Sequence, residues 1–173
     1  FTGPPTKFSL TQDLVAQFET NDLRKTHWVK SITNGSQVWY HAYKYKKDIT
    51  TSSSVENSIV LRLAEQYLIR AEARAKQGDL IGAIEDLNVI RQRAGLSNTT
   101  AVTTDQVLSA ILQERRLELF TELGHRFLDL KRLELLDSVL GTKPGWSTND
   151  KLWPLPQAEM DANSFLVPQN PGY

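Results

Sequence analysis

Apolar residues recur along this chain with two different periods, and the change of period divides it. From Thr11 to Glu19, the residues Leu14, Val15 and Phe18 fall on one side of a short helix. Between Ser31 and Lys47 the pattern becomes strand-like, with Val38, Tyr40 and Ala42 alternating against Trp39, His41, Tyr43 and Tyr45. The preceding Asn34-Gly35 is a turn signal, so a short hairpin or extended segment is expected. Residues 1 to 6 are turn-rich, and Asp48 to Asn57, rich in Thr and Ser, reads as a loop.

Helical spacing then takes over. Val60, Leu63, Ala64, Tyr67, Leu68, Ala71 and Ala75 predict a helix over 59–77 that stops at Gly78. Asp79 is placed to cap a second helix over 80–94, carried by Leu80, Ala83, Ile84, Leu87 and Ile90 and ended by Gly95. Thr103 and Gln106 have capping-box spacing and open a third helix over 104–123, through Leu108, Ile111, Leu112, Leu119 and Leu123. A fourth, over 125–140, carries Phe127, Leu130, Leu133 and Leu136 on one side and Leu128, Leu135 and Val139 on another, which predicts burial on more than one face. The four helices are expected to pack as two antiparallel hairpins.

Pro154, Pro156, Pro168 and Pro171 exclude a long helix from Lys151 to Tyr173. An extended tail with one turn around Gln157 to Asn163 is expected, docked by Trp153, Leu155, Phe165 and Leu166. The whole is a mainly α chain in three parts: a helix and extended segment (1–57), helical hairpins (58–140) and a wrapping tail (141–173). The first hairpin has the outline of a tetratricopeptide unit, with Tyr67, Ala71, Gly78, Leu80 and Ala83 in the expected order. Two such pairs are fewer than the roughly three that close a continuous core, so packing against other segments is expected.

Composition narrows the function more than the fold. Twenty Lys and Arg balance twenty Asp and Glu, which argues against a nucleic-acid binder that must displace counterions. With no Cys there is no disulfide, thiolate nucleophile or Cys-type zinc site, and no apolar run reaches the roughly 18 residues of a membrane helix. The chain opens on Phe1 without a leader pattern and is read as a piece of a longer one. No phosphate loop, dinucleotide fingerprint or nucleophile elbow occurs, and no cofactor or metal is implied. His27, His41 and His125 lack partner clusters, so none is assigned a catalytic role.

Two groups of residues remain. Glu114, Arg115, Glu118, Arg126 and Asp129 form the richest charge constellation. Arg115 lies in the apolar stripe between Leu112 and Leu119 and needs a carboxylate, for which Glu118 one turn away and Asp129 on the following helix are the candidates. A structural ion network is favoured over an anion clamp. The second group is aromatic: Trp39, Tyr43 and Tyr45 on one strand face, and Trp146 in a Gly/Pro loop. Flat apolar sugar faces stack on such rings, making Trp39, Tyr43 and Trp146 candidate ligand contacts.

Several runs, in order, resemble one family. They are Asp22-x-Arg24, Arg62-Leu-Ala-Glu65 with Tyr67-Leu68, Ala71-Glu72-Ala73, Leu87-Asn88 with Ile90-Arg91, and Arg93-Ala94-Gly95. Glu114-Arg115-Arg116 with Glu118-Leu119, His125-Arg126-Phe127 with Asp129-Leu130, Lys151-Leu-Trp-Pro-Leu-Pro-Gln157 and Gln169-Asn-Pro-Gly-Tyr173 follow. Together they resemble the C-terminal part of SusD/RagB proteins, with Leu23 departing from the Pro of many relatives. The resemblance implies a non-enzymatic outer-membrane lipoprotein, exposed at the cell surface, that captures oligosaccharides beside a SusC-like TonB-dependent transporter. Its lipid anchor and most of its ligand region would lie outside this chain, and the motifs quoted are scaffold motifs. A helical-repeat interaction module is the alternative, and a hydrolase using surface carboxylates a third reading.

Overall fold

The computed structural model describes residues 8–46 and 56–173, so the readings for residues 1–6 and for nearly all of the Asp48 to Asn57 loop lie outside the described residues. The chain divides into two compact units, Phe1–His125 and Arg126–Tyr173.

In the first unit, α1 (Gln12–Ala16) is capped by Thr11, whose side chain accepts from the Leu14 amide. A second helix, α2 (Leu23–Trp28), appears where the sequence reading gave none, because six residues are too few to show a period. Asp22 starts it by accepting the Arg24 amide at 2.9 Å, and the Leu23 amide donates to the Ala94 carbonyl at 3.0 Å. The hairpin follows as β1 (Val29–Asn34) and β2 (Gln37–Ala42), antiparallel, with Val29 opposite Ala42 and Asn34 opposite Gln37. Gly35 takes the first central place of the turn at φ 58°, the conformation only glycine adopts at no steric cost. One face of this hairpin, with Val29, Tyr40 and Ala42, packs on Phe18, Leu117 and Phe120.

The helical core is α3 (Leu63–Lys76), α4 (Leu80–Arg93) and α5 (Thr104–Glu118). Helices α3 and α4 form the expected hairpin, and α5 packs against both of them. The reversal between α3 and α4 is fastened twice. Gly78, at φ 87°, lets the Asp79 amide reach back to the Arg74 carbonyl at 2.9 Å, and the Asp79 carboxylate then accepts from the Gly82 amide at 2.9 Å. Ala64, Leu68, Ala71, Ala83, Leu87, Ile90, Val107 and Ile111 meet in a closed apolar cluster. Leu68 and Leu87 are fully buried, each contributing about 2 kcal/mol or more by leaving water.

Three boundaries differ from expectation. Helix α3 begins at Leu63 rather than 59, because Arg62 is extended and turns its guanidinium elsewhere; Ile59, Val60 and Leu61 are exposed. Helix α5 opens with the expected Thr103–Gln106 capping box but ends at Glu118, leaving Leu123 exposed. Its last carbonyls are claimed by side chains: Lys44 Nζ binds the Glu118 and Phe120 carbonyls at 2.8 and 2.9 Å, and Arg62 binds the Glu118 carbonyl at 2.9 Å. The expected fourth helix is two, α6 (His125–Arg132) and α7 (Leu136–Leu140). Glu134 breaks it in the left-handed conformation at φ 58°, where the Leu135 amide bonds back to the Leu130 carbonyl at 2.8 Å. Leu130 and Leu136 are buried but Leu128 and Val139 are exposed, so burial on a second face is not found.

In the second unit the tail is held by side-chain amides and a tyrosine hydroxyl rather than by Trp153 and Phe165. Trp153 is 76% exposed and Phe165 94%, which overturns their assignment as anchors, while Leu155 and Leu166 are half-buried. The Gln169 side chain accepts the Leu155 amide at 2.7 Å and donates to the Leu155 carbonyl at 2.9 Å, copying a strand partner. Asn170 donates to the Trp153 carbonyl at 2.7 Å and Tyr173 Oη to the Leu152 carbonyl at 3.0 Å. The expected turn is α8 (Gln157–Ala162). Among the described residues no helix is long and apolar enough to cross a membrane.

Candidate functional site

The buried stripe of α5 starts as hydrocarbon and continues as charge. Val107, Ile111, Glu114 and Glu118 succeed one another at four-, three- and four-residue steps, and all four are buried. A lone buried carboxylate is too costly to persist, so cations must converge on the last two. Arg24 supplies the centre. Its Nε and Nη2 bind both oxygens of Asp22 at 3.0 and 2.8 Å, and Nη1 binds Glu114 at 2.6 Å with Glu118 at 3.5 Å. Arg93 reaches Glu118 at 2.5 Å and Arg62 also binds it, while Arg91 bridges Glu19 at 2.7 Å and Glu114 at 3.4 Å.

The network extends toward the hairpin. Arg62 binds Glu122 at 2.8 and 3.0 Å, and Lys44 binds the same carboxylate while its ammonium lies over the Trp28 and Phe120 rings. Burial pushes the Lys44 ammonium down to about 8, against the pull of Glu122. Burial likewise raises the Glu114 carboxyl above its ordinary value, opposed by Arg24. At Arg24 burial acts against the charge, but the Asp22 hydrogen bond and the carboxylates of Glu114, Asp22 and Glu118 outweigh it and hold the guanidinium protonated. Every carboxylate oxygen here is engaged by a cation or lies among several.

Arg115 is buried, with Nη2 3.6 Å from Glu65, whose same oxygen lies 3.5 Å from His125 Nδ1. In the second unit Asp129 is buried and accepts from Arg132 at 2.9 and 3.0 Å, and Arg126 is half-buried on the same helix. Eight residues of the network around Glu114 and Glu118 lay outside the constellation singled out from sequence: Glu19, Asp22, Arg24, Lys44, Arg62, Arg91, Arg93 and Glu122. Asp22, Arg24, Arg62, Arg91 and Arg93 stand within the runs that carried the family resemblance, which was the available signal; Glu19, Lys44 and Glu122 had none.

The aromatic candidates separate. Trp39 and Tyr43 are half-buried in the first unit and lie on the outer side of the hairpin, away from Val29, Tyr40 and Ala42. Tyr43 follows β2, its amide bonded to the Trp28 carbonyl at 2.7 Å, with the His41 ring edge-on at 6.4 Å. Trp146 belongs to the second unit, where its indole N–H donates to Asp137 at 3.1 Å. Lys151 binds the same carboxylate and, with Trp146, holds it below the usual carboxylate range. His27 is exposed and its carbonyl accepts from Lys46 at 3.1 Å.

Comparison with known proteins supplies the family. SusD-like protein P2 of Formosa agariphila is 34% identical over 149 residues, covering 78% of this chain and 29% of that protein. The starch-binding protein SusD of Bacteroides thetaiotaomicron is 29% identical over 161 residues, covering 86% of this chain and 28% of that protein. The chain therefore spans less than a third of the length of these curated relatives. A laminarin-binding SusD-like protein of known structure superposes over 95% of this chain and 38% of its own, with a TM-score of 0.72 and 30% identity. The sequence profile of the SusD family matches residues 9–173, almost the entire chain, and the protein accordingly belongs to the SusD family.

Proposed function

We propose that this chain is the scaffold-bearing part of a non-catalytic, glycan-binding SusD protein tethered at the bacterial outer-membrane surface and working with a TonB-dependent transporter. The observation that carries this reading is the family match over residues 9–173, joined to relatives described as binding starch and laminarin. The charged cluster supports the non-catalytic part. A glycoside hydrolase needs two carboxyl groups held apart around open space, one of them able to give up a proton. Glu114 and Glu118 are instead buried and bound by Arg24, Arg62 and Arg93 as structural partners.

Trp39, Tyr43 and Trp146 are the ligand contacts this reading offers, with Trp39 and Tyr43 on one accessible hairpin face. Calorimetry against starch- and laminarin-derived oligosaccharides is the test, with chromatography of the same mixtures to look for products. Weak binding at best, and no product, is expected. Product release from any glycan would overturn the non-catalytic reading, and affinity unchanged by Trp39→Ala and Trp146→Ala would remove the contact assignment. Co-purification of a TonB-dependent transporter with the tagged protein from outer membranes is expected; repeated absence of one would remove the partnership.

A further inference from the structure

We infer that the outer face of the β1–β2 hairpin takes an anionic glycan, one carrying a uronate carboxylate or a sulfate, rather than a neutral one. This rests on the glycan-binding reading above and names the substrate class for the face already singled out. The pairing of Ile32 with Trp39 and of Lys30 with His41 puts these four side chains on the side opposite the core-facing Val29, Tyr40 and Ala42. Tyr43 continues the same row.

The decisive feature is what covers Tyr43. Lys30 Nζ lies 3.8 Å from the centre of its ring, and Lys46 Nζ lies 4.9 Å away. A neutral sugar stacks by laying its C–H face on an open ring, and an ammonium at 3.8 Å already holds that place. The ring's quadrupole positions the ammonium without cancelling its charge. Neither lysine has a carboxylate in ion-pair range among the described residues; Lys46 Nζ donates only to the His27 carbonyl, at 3.1 Å. The neighbouring acid, Glu56, spends its oxygens on the Lys46 backbone amide at 2.8 and 3.1 Å. Among the described residues, this end of the face thus presents two ammonium groups with donors to spare.

The rest of the face suits a sugar chain. His41 Nδ1 lies 3.1 Å from the Ala42 carbonyl oxygen, which holds the proton on Nδ1 and leaves Nε2 to accept a hydroxyl. Trp39, half-buried against Ile32, offers the open stacking surface two residues, or about 7 Å, further along the strand. A hexose on Trp39 therefore sets its neighbours' acidic groups toward Lys30 and Lys46. A protein surface is the competing occupant of such a face.

The experiment is calorimetric titration of the chain with oligogalacturonate and, separately, with neutral laminarihexaose, in low salt and again in high salt. Oligogalacturonate is expected to bind about tenfold more tightly in low salt and to lose that advantage in high salt, where charge is screened within a few ångströms. The double variant Lys30→Gln/Lys46→Gln should lose the same factor toward the uronate and none toward the neutral sugar; both residues are at the surface, so a circular-dichroism melt should be unchanged. Trp39→Ala should weaken both ligands. Equal affinity for the two sugars, or an unaffected double variant, overturns the anionic class while the glycan-binding reading stands. Binding of neither sugar removes both, and loss of transporter co-purification in the double variant reassigns the face to protein contact.

Discussion

Helix α5 is held over its first half by hydrocarbon and over its second by charge. Val107 and Ile111 close on Leu68 and Leu87, whereas Glu114 and Glu118, on the same stripe, close on Arg24, Arg62, Arg91 and Arg93. The apolar half tolerates small shifts, since dispersion contacts are many and non-directional. The charged half does not: a guanidinium bound at once to Asp22 and Glu114 specifies where α2 lies on α5. Net stabilisation by such a cluster is small after desolvation, yet removing one member leaves the others buried and unpaired. The contrast teaches that the two seams should fail differently.

The sharpest break is Arg24→Ala. It strands Asp22 and Glu114 in a dry site and should cost about 4 kcal/mol in urea denaturation, with Arg115→Ala costing about 3 kcal/mol. A loss below about 0.5 kcal/mol, the level of a surface pair, would show the cluster to be solvated. Leu87→Ala in the apolar seam should cost about 3 kcal/mol by opening a cavity. The comparison is sharpened by rescue. Replacing Arg24, Asp22 and Glu114 together by apolar residues should recover much of the loss, whereas no second substitution of this kind restores Leu87→Ala.

The Lys44 end of the cluster gives a pH signature. Its ammonium titrates near 8 in the folded chain against 10.5 ordinarily, so between these values the unfolded chain holds more protons. By linkage its contribution makes stability rise as pH climbs from about 8 to 10.5. Lys44→Met should remove that rise, read as the difference between the two denaturation midpoints across this window; parallel profiles would contradict the assignment.

The tail provides the smallest effects and a second contrast. Gln169→Ala leaves the Leu155 amide and carbonyl without their partner and should cost about 1 kcal/mol. Trp153→Ala should cost under about 0.5 kcal/mol, as expected of an exposed side chain. A larger loss for Trp153 than for Gln169, measured on the same chain, would restore the aromatic as the anchor.

Local chemistry was enough wherever a residue acts on its own neighbours. Helical spacing placed α3, α4 and α5; Thr103 with Gln106, Asp79, Gly78 and Gly95 marked their ends; Asn34-Gly35 announced the hairpin. These signals are legible because capping and turn geometry depend on a few consecutive residues. Where α5 stops could not be read, since its last carbonyls are taken by Lys44 and Arg62, residues 74 and 56 positions away from Glu118. Nor was the buried face of α5. A search for apolar periodicity favours Leu108 and Leu112, while the true stripe continues through Glu114 and Glu118. Whether a carboxylate is a surface group or a core one depends on cations brought from elsewhere in the chain. That pairing, and the placing of Lys30 over Tyr43, exist only once distant segments meet, and the tertiary structure alone decides them.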